Sequence, residues 1–151
     1  MSRRGVAPVV GVAVLVVVTL VLAAVVGAFV IGLGGGTDHT PTAAITADRN
    51  GNEVVLTHVG GDSLDVNDLT VRLFVDGRAL DHQPRVPAAG MVGFRGAPSG
   101  PFNSRSDDTW SAGEVASVTI ATTTNAPQPT AGSTVTVRIS VDGEAVATAR
   151  T

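Results

Sequence analysis

Residues 6–33 read VAPVVGVAVLVVVTLVLAAVVGAFVIGL, and no charged side chain interrupts them. An α-helix of this stretch would be roughly 42 Å long, because each residue adds about 1.5 Å. A bilayer core needs only about 20 apolar residues to be crossed. Hydrocarbon also forces a backbone to satisfy its own hydrogen bonds, which a helix does. The stretch therefore predicts a membrane-spanning helix.

The flanks of this stretch predict its orientation and its ends. Arg3 and Arg4 are the only charges before it, and basic residues favour the cytoplasmic side of a membrane. Three glycines, Gly34–Gly36, follow it and are typical of a helix end that leads into a flexible joint. We therefore expect a short basic leader at 1–5, a helix at 6–36, a polar linker at 37–42 and an extracellular domain at 43–151.

Three kinds of N-terminal segment have an apolar run after basic residues. A secretory signal peptide has an apolar core of about 7–15 residues, which is about half of the run present here, so this interpretation is disfavoured. A permanent, uncleaved anchor fits the length. A segment that is cut before the apolar run, and keeps that run in the mature protein, fits it as well.

The junction RRGVAPVVGV at 3–12 and the stretch LAAVVGAFV at 22–30 resemble the start of haloarchaeal type IV pilin precursors. In that family a membrane-bound prepilin peptidase cuts after a charged residue and a Gly or Ala, and the apolar helix stays in the mature subunit. The resemblance implies that the mature chain starts with a valine. The implied processing site consists of Arg4, Gly5 and Val6.

The junction departs from the family pattern at three points. Family members often have Ser where Ala7 stands and Ile where Val10 stands. They also carry a longer charged leader than the five residues that precede Val6. The processed form and the permanently anchored form therefore both stay open at this point.

Small residues recur at a spacing of four in the second half of the apolar stretch. Such spacing lets two helices approach closely in a membrane. Gly and Ala are also common in any membrane helix, so composition alone is the competing explanation. The candidate helix-packing residues are Ala23 and Gly27 on one line, and Ala24, Ala28 and Gly32 on the next.

Beyond the linker, the spacing of apolar residues changes to the two-residue period of β-strands. Apolar and polar residues alternate along 69–75, 116–120 and 135–141. One face of each predicted strand therefore belongs to a core and the other largely to water. We expect a core of Leu69, Val71, Leu73, Val118, Ile120, Val135, Val137 and Ile139, covered by Trp110.

Turn residues separate the predicted strands. Asp76–Gly77 and Asp142–Gly143 are typical two-residue hairpin turns, because Gly tolerates positive φ and Asp is the next best residue there. The residues Asp-Arg-Asn-Gly at 48–51 predict a further turn, between strands near 43–47 and 53–59. About seven short strands without a helical pattern predict an all-β, immunoglobulin-like sandwich behind the single transmembrane helix.

The interval 83–113 has no regular period and is long for a connection in a small domain. Such a connection is either functional or disordered. It carries Phe94, Phe102 and Trp110, which favour packing on the body of the domain over disorder. Parts of 56–62, 93–103 and 110–114 also resemble haloarchaeal pilin-domain proteins, which extends the resemblance over most of the chain.

Composition excludes several kinds of chemistry. The chain has no cysteine, so it has no disulfide, no thiolate nucleophile and no cysteine metal site. Its ten basic residues are all arginine, and without the first five residues eight arginines face thirteen acids, a net charge of −5. The basic footprint that nucleic-acid binding needs is therefore missing.

The remaining polar residues do not form a recognisable site. The three histidines lie far apart in the sequence and lack metal-ligand spacing. Asp107 and Asp108, with Asp62 or Asp65, could bind calcium through oxygen, but they lack the Asp-x-Asp-x-Asp-Gly loop, which favours exposed loop acids. No nucleophile elbow or phosphate loop is present. We therefore expect no enzyme activity, no metal and no cofactor.

The resemblance implies a structural subunit, major or minor, of an archaeal type IV pilus or related surface filament that serves adhesion. Its implied partners are membrane lipid, the prepilin peptidase, other pilin subunits and the assembly platform. The alternative is a permanently anchored, monomeric cell-surface protein with a non-catalytic binding sandwich. A mature chain that starts at Val6 distinguishes the first from the second, which keeps Met1 or Ser2.

Overall fold

The computed structural model of the chain describes residues 5–34 and 39–151. The chain divides into two compact units, Met1–His39 and Thr40–Thr151. The first contains one helix, α1 (Val6–Gly34), and the second is all-β with antiparallel sheets. The predicted order of a single apolar helix followed by an all-β domain is confirmed. The expected glycine joint at 35–36 and the start of the linker lie outside the described residues.

The β domain contains nine strands in the residues that the structure describes, two more than the roughly seven expected from the sequence. They form three sheets, with strand orders β1-β2-β7, β3-β6 and β5-β4-β8-β9. The immunoglobulin-like layout stays a prediction. The strands are β1 (Ala43–Asn50), β2 (Glu53–Gly61), β3 (Leu64–Asp65), β4 (Leu69–Val75), β5 (Arg78–Ala79), β6 (Thr109–Trp110), β7 (Val115–Thr119), β8 (Val135–Val141) and β9 (Glu144–Arg150).

One hydrophobic core holds the sheets together. It receives the inward residues of β1, β2 and β7 from one sheet and those of β4 and β8 from another. All eight strand residues that the alternation predicts as core are buried, and so is Trp110. The strand register predicted for β4 and β8 is therefore confirmed.

Two tight hairpin turns connect β4 to β5 and β8 to β9. Asp76 and Gly77 have φ values of 48° and 83°, and Asp142 and Gly143 have 50° and 87°. Both central residues of each turn are thus left-handed, as the twist of a two-residue hairpin requires. These two turns are confirmed as predicted.

The turn between β1 and β2 lies later than the sequence suggests. Asn50 still pairs with Glu53, so β1 continues through three of the four residues expected to turn. The chain reverses at Gly51 and Asn52, where Gly51 takes a φ of 61°. The start of the turn was predicted too early, because residues 48–50 are polar and an exposed edge strand accepts polar side chains as readily as a turn does.

The interval 83–113 is ordered and packs against β7. Isolated bridges join Phe94 to Ile120 and Ser99 to Ser117, so this segment runs along the outer edge of β7, beside Ser117, which alternation assigns to water. Ser117 is consequently buried rather than exposed. Its hydroxyl donates to Glu53 at 2.8 Å and lies 2.8 Å from that of Ser99, which satisfies its polarity.

Trp110 organises the end of this interval. Its indole is fully buried and meets Phe102 edge-on at a centroid distance of 5.0 Å and His58 at 5.6 Å. Its Nε1–H donates to the Glu114 carbonyl at 3.1 Å. Because aromatic groups of this size bury 150–250 Å² each, the long connection contributes core rather than a loose loop.

We expect Val137→Asp to unfold the β domain, because it places an unpaired charge in a fully buried position at a cost above about 4 kcal/mol. Arg138→Ser, one residue on and exposed, should change the free energy of unfolding by less than about 1 kcal/mol. Fluorescence of Trp110, the one tryptophan, during urea denaturation of the full chain in detergent measures both. The opposite ranking would mean that the register of β8 is wrong by one residue.

The Asp76 carboxylate forms hydrogen bonds that stabilise the first hairpin in a pH-dependent way. Its carboxylate accepts from the Thr134 backbone N–H at 2.9 Å and from the Ser133 hydroxyl at 2.8 Å. These hydrogen bonds, the backbone one foremost, hold the pKa of Asp76 below its ordinary value. A lowered folded-state pKa contributes stability above the unfolded pKa and loses it as the pH falls through the folded one.

Asp76→Asn should therefore flatten the fall in unfolding free energy of the full chain below about pH 4. Asparagine also accepts a left-handed φ, so the turn itself should persist. Asp142→Asn, in the equivalent turn, controls for the loss of one negative charge. Urea midpoints between pH 3 and pH 7 check the prediction, and superimposable profiles for wild type and Asp76→Asn would contradict it.

Candidate assembly helix and processing junction

The proposed cut lies at the first residue of α1. The helix begins at Val6, and Gly5 is exposed, with open space around the position of an added Cβ. The first backbone N–H groups of a helix have no intrahelical partner, and Pro8 in the first turn has no N–H to satisfy. Arg4 lies outside the described residues. The structure does not test the assignment of Arg4, Gly5 and Val6 as a processing site, which stays a prediction.

The surface of α1 is apolar on every side. Among the described residues, nineteen large hydrophobic side chains are exposed, and sixteen of them belong to α1. The β domain exposes only the other three of these residues and buries most of its large hydrophobic side chains. Within the described residues one helix, over Val6–Val30, is long and apolar enough to cross a membrane.

Thr19 is the one side chain with a hydroxyl along α1. Its Oγ1 donates to the Leu15 carbonyl one turn earlier at 2.7 Å. An unsatisfied hydroxyl in hydrocarbon costs roughly 4–8 kcal/mol on a cyclohexane reference, and this hydrogen bond removes that cost. The only polar side chain of the helix is thus compatible with lipid or with a packed helix.

The small residues of α1 form two neighbouring lines. A helix turns about 100° per residue, so Gly27 lies about 40° from Ala23, and Ala28 about 40° from Ala24. The two lines are about 100° apart, and over residues 22–30 they leave one side of the helix without bulky side chains. No partner helix tests the packing role of Ala23, Ala24, Gly27, Ala28 and Gly32, which stays a prediction.

The β domain offers no metal centre in the part of the chain that the structure describes. No group of three or more His, Cys, Asp or Glu side chains there lies close enough to hold an ion. His58, which the sequence left unassigned, is fully buried; its Nε2 lies 2.9 Å from the Asp62 carbonyl, and its Nδ1 has no partner. The alternation of Val54, Leu56 and His58 along β2 was the signal for this inward position.

The fold defines a class of protein in which one long apolar N-terminal helix precedes an all-β domain with its own core. Residues 4–45 match the family model of the archaeal type IV pilin N-terminal domain. The resemblance seen at the junction is thereby confirmed, and this part of the chain is similar to archaeal type IV pilin N-terminal domains.

A curated relative matches more of the chain. An uncharacterized protein of Archaeoglobus fulgidus is 36% identical over 81 residues, which are 52% of this chain and 56% of that protein. The chain thus spans a little over half the length of this relative.

We expect Ala28→Leu to weaken association of the full chain through α1 about tenfold, roughly 1.4 kcal/mol, because the added side chain separates the helices. Val26→Phe adds similar apolar bulk about 160° away around the helix and serves as the matched control. Energy transfer between labelled chains in detergent micelles measures the association. Equal weakening by both variants would count against the two small-residue lines as the packing face.

Proposed function

We propose that this protein is a structural, pilin-like subunit of an archaeal type IV pilus or related surface filament. The observation that carries the proposal is α1. It lies within the residues that match the archaeal type IV pilin N-terminal domain, and its large hydrophobic side chains lie exposed. A helix of this kind serves first as a membrane anchor and then as the core of a filament.

Assembly by such a helix exchanges one apolar environment for another. Lipid covers α1 in the precursor, and the helices of neighbouring subunits cover it in the filament. Because lipid tails are as apolar as Val or Leu, close packing over small residues is what favours the second state. Ala24 and Ala28, with Gly32 after them, supply such a line.

The β domain is the part that the filament displays. Arg3 and Arg4 favour a cytoplasmic N-terminus, which places residues 40–151 outside the cell. The domain has its own closed core, and in this proposal its role is structural or adhesive. The partners in this proposal are membrane lipid, the prepilin peptidase, other pilin subunits and the assembly platform.

A groove in the β domain favours a second candidate, a permanently anchored surface protein that binds a ligand. The groove has a volume of about 810 Å³ and lies beside β4, lined among others by Arg72, Arg85 and Met91. Small-molecule sites are of this size, about 300–1,000 Å³. The mature N-terminus separates the two candidates, because only the filament subunit requires a cut before Val6.

Processing should depend on Gly5. A peptidase at the cytoplasmic face needs access to the Gly5–Val6 bond, and a branched side chain beside it restricts that access. Gly5→Val should therefore leave an anchored chain that is five residues longer than the wild-type product. Gly11→Val introduces the same side chain six residues later, where the helix has open space, and should be cut normally.

Intact-mass measurement of the membrane-purified chain, from cells with and without the native prepilin peptidase, provides the readout. Wild type and Gly11→Val should both start at Val6 when the peptidase is present, and Gly5→Val should not. Identical wild-type masses in both strains would remove the filament proposal and leave the permanent anchor.

The orientation has a test of its own. Protease added to whole cells should cut in the linker at 37–42 and release the β domain, because that linker lies outside the membrane in the proposed orientation. Immunoblotting against the domain measures its loss from cells, and a cytoplasmic protein serves as the integrity control. Protection in intact cells, with cleavage after lysis, would reverse the orientation.

A further inference from the structure

Three arginines project from the outer face of one sheet. Arg72 on β4 and Arg138 on β8 are directly opposite each other in the register. Arg150 on β9 lies opposite Thr136, two residues before Arg138 on the same face of β8. All three side chains are exposed. We call Arg72, Arg138 and Arg150 the arginine face.

The arginine face is not neutralised by the described residues. Like charges directly opposite each other on a sheet are destabilising, yet neither Arg72 nor Arg138 forms an ion pair within the described part of the chain. Arg138 stacks over the Phe74 ring at 4.7 Å, which holds its guanidinium in place without using its hydrogen-bond donors. The face is thus prepared for acceptors from outside the domain.

The groove beside β4 extends this face. Its charged and titratable lining residues are Arg72, Arg85, His82 and Asp81. One wall is fixed, because Gln83 bonds the Leu73 backbone through both amide atoms, at 2.7 Å and 3.1 Å. A fixed concave surface with two arginines suits a carboxylate-bearing partner, since guanidinium groups bind carboxylates with paired hydrogen bonds.

The opposite charge lies on another part of the same domain. The short ladder of β3 and β6 joins two acidic segments, because Asp65 pairs with Thr109 and the Val66 N–H donates to the Asp108 carbonyl at 2.7 Å. The exposed carboxylates there, which we call the acidic ribbon, belong to Asp65, Asp68, Asp107 and Asp108. Arg105 lines a small depression with Asp107. One arginine beside four carboxylates leaves the ribbon with a negative net charge.

We propose that the arginine face of one subunit docks on the acidic ribbon of the next copy of this chain. Three guanidinium groups meet four carboxylates, and the two patches belong to different sheets of one molecule, the first to β4, β8 and β9 and the second to the ladder of β3 and β6. Such a contact is heterologous, and a heterologous contact that does not close into a ring produces an open helical filament. The inference rests on the proposed function, because a filament is what repeats this contact.

Charge reversal tests the contact in the full chain, in cells that assemble it. Arg72→Asp with Arg138→Asp, or Asp107→Arg with Asp108→Arg, should each lower sheared filament mass at least about tenfold. All four changes together should restore most of the wild-type yield, since the pairs form again with reversed sign. Unchanged Trp110 fluorescence verifies folding, and the mass of the mature chain verifies processing.

Cross-linking tests the geometry in a chain that has no native cysteine. Thr70→Cys, on the groove, and Ser106→Cys, beside the acidic ribbon, are placed in separate copies that are expressed together. Oxidation should give a mixed disulfide dimer in both membranes and filaments. Thr70→Cys with Thr46→Cys, on the exposed side of β1 in another sheet, should give none.

Each outcome decides the proposal. The mixed dimer with rescue by the four-residue exchange supports it. Filaments at wild-type yield from both charge-reversed variants would overturn it while leaving the filament function intact. Loss with the arginine variant alone, without rescue, would also overturn it and assign the face to another acidic partner. An unprocessed chain without filaments would contradict the proposed function. In that case the mixed disulfide dimer in membranes, or its absence, still tests the contact between the two patches.

Discussion

The main physical constraint on this protein is that α1 is apolar on every side and is unstable when exposed to water. Covering one large aliphatic or aromatic side chain is worth about 1.5–3 kcal/mol, and sixteen such side chains lie exposed on α1. The sum is on the order of tens of kcal/mol, more than the about 5–15 kcal/mol by which a domain is stable. The helix therefore needs lipid or other helices to cover it, and the proposed function supplies both in turn.

The β domain, by contrast, buries most of its large hydrophobic side chains in its own core. Without cysteine it has no cross-link to limit its unfolded state, so packing alone must stabilise it. The interval 83–113 supplies much of that packing, because Phe102, which lies outside the strands, and Trp110, on the two-residue strand β6, complete the core. A domain that is closed in this way would keep its own fold during the transfer from membrane to filament that the proposed function requires.

The sequence was sufficient wherever a periodic pattern met one dominant force. Uniform apolarity predicted α1, and alternation predicted β4 and β8 with their hairpin turns. It failed where two segments distant in sequence cover each other. Alternation assigns Ser117 to water, but in the structure it is buried and pairs with Ser99. The arginine face could not be predicted from the sequence for the same reason, since Arg72 and Arg138 become neighbours only through the pairing of β4 with β8.

Apolar helices alone cannot specify how far one subunit is displaced from the next. Packing over small residues is short-ranged, and Ala24, Ala28 and Gly32 repeat at a constant spacing, so a shift of one turn replaces one small contact by another. Charged groups respond differently, because an arginine displaced by a few ångströms loses its paired hydrogen bonds to a carboxylate. In this arrangement α1 would supply most of the free energy of association, without fixing the displacement between neighbouring subunits. The contact between the arginine face and the acidic ribbon would be weaker but directional, and would fix that displacement.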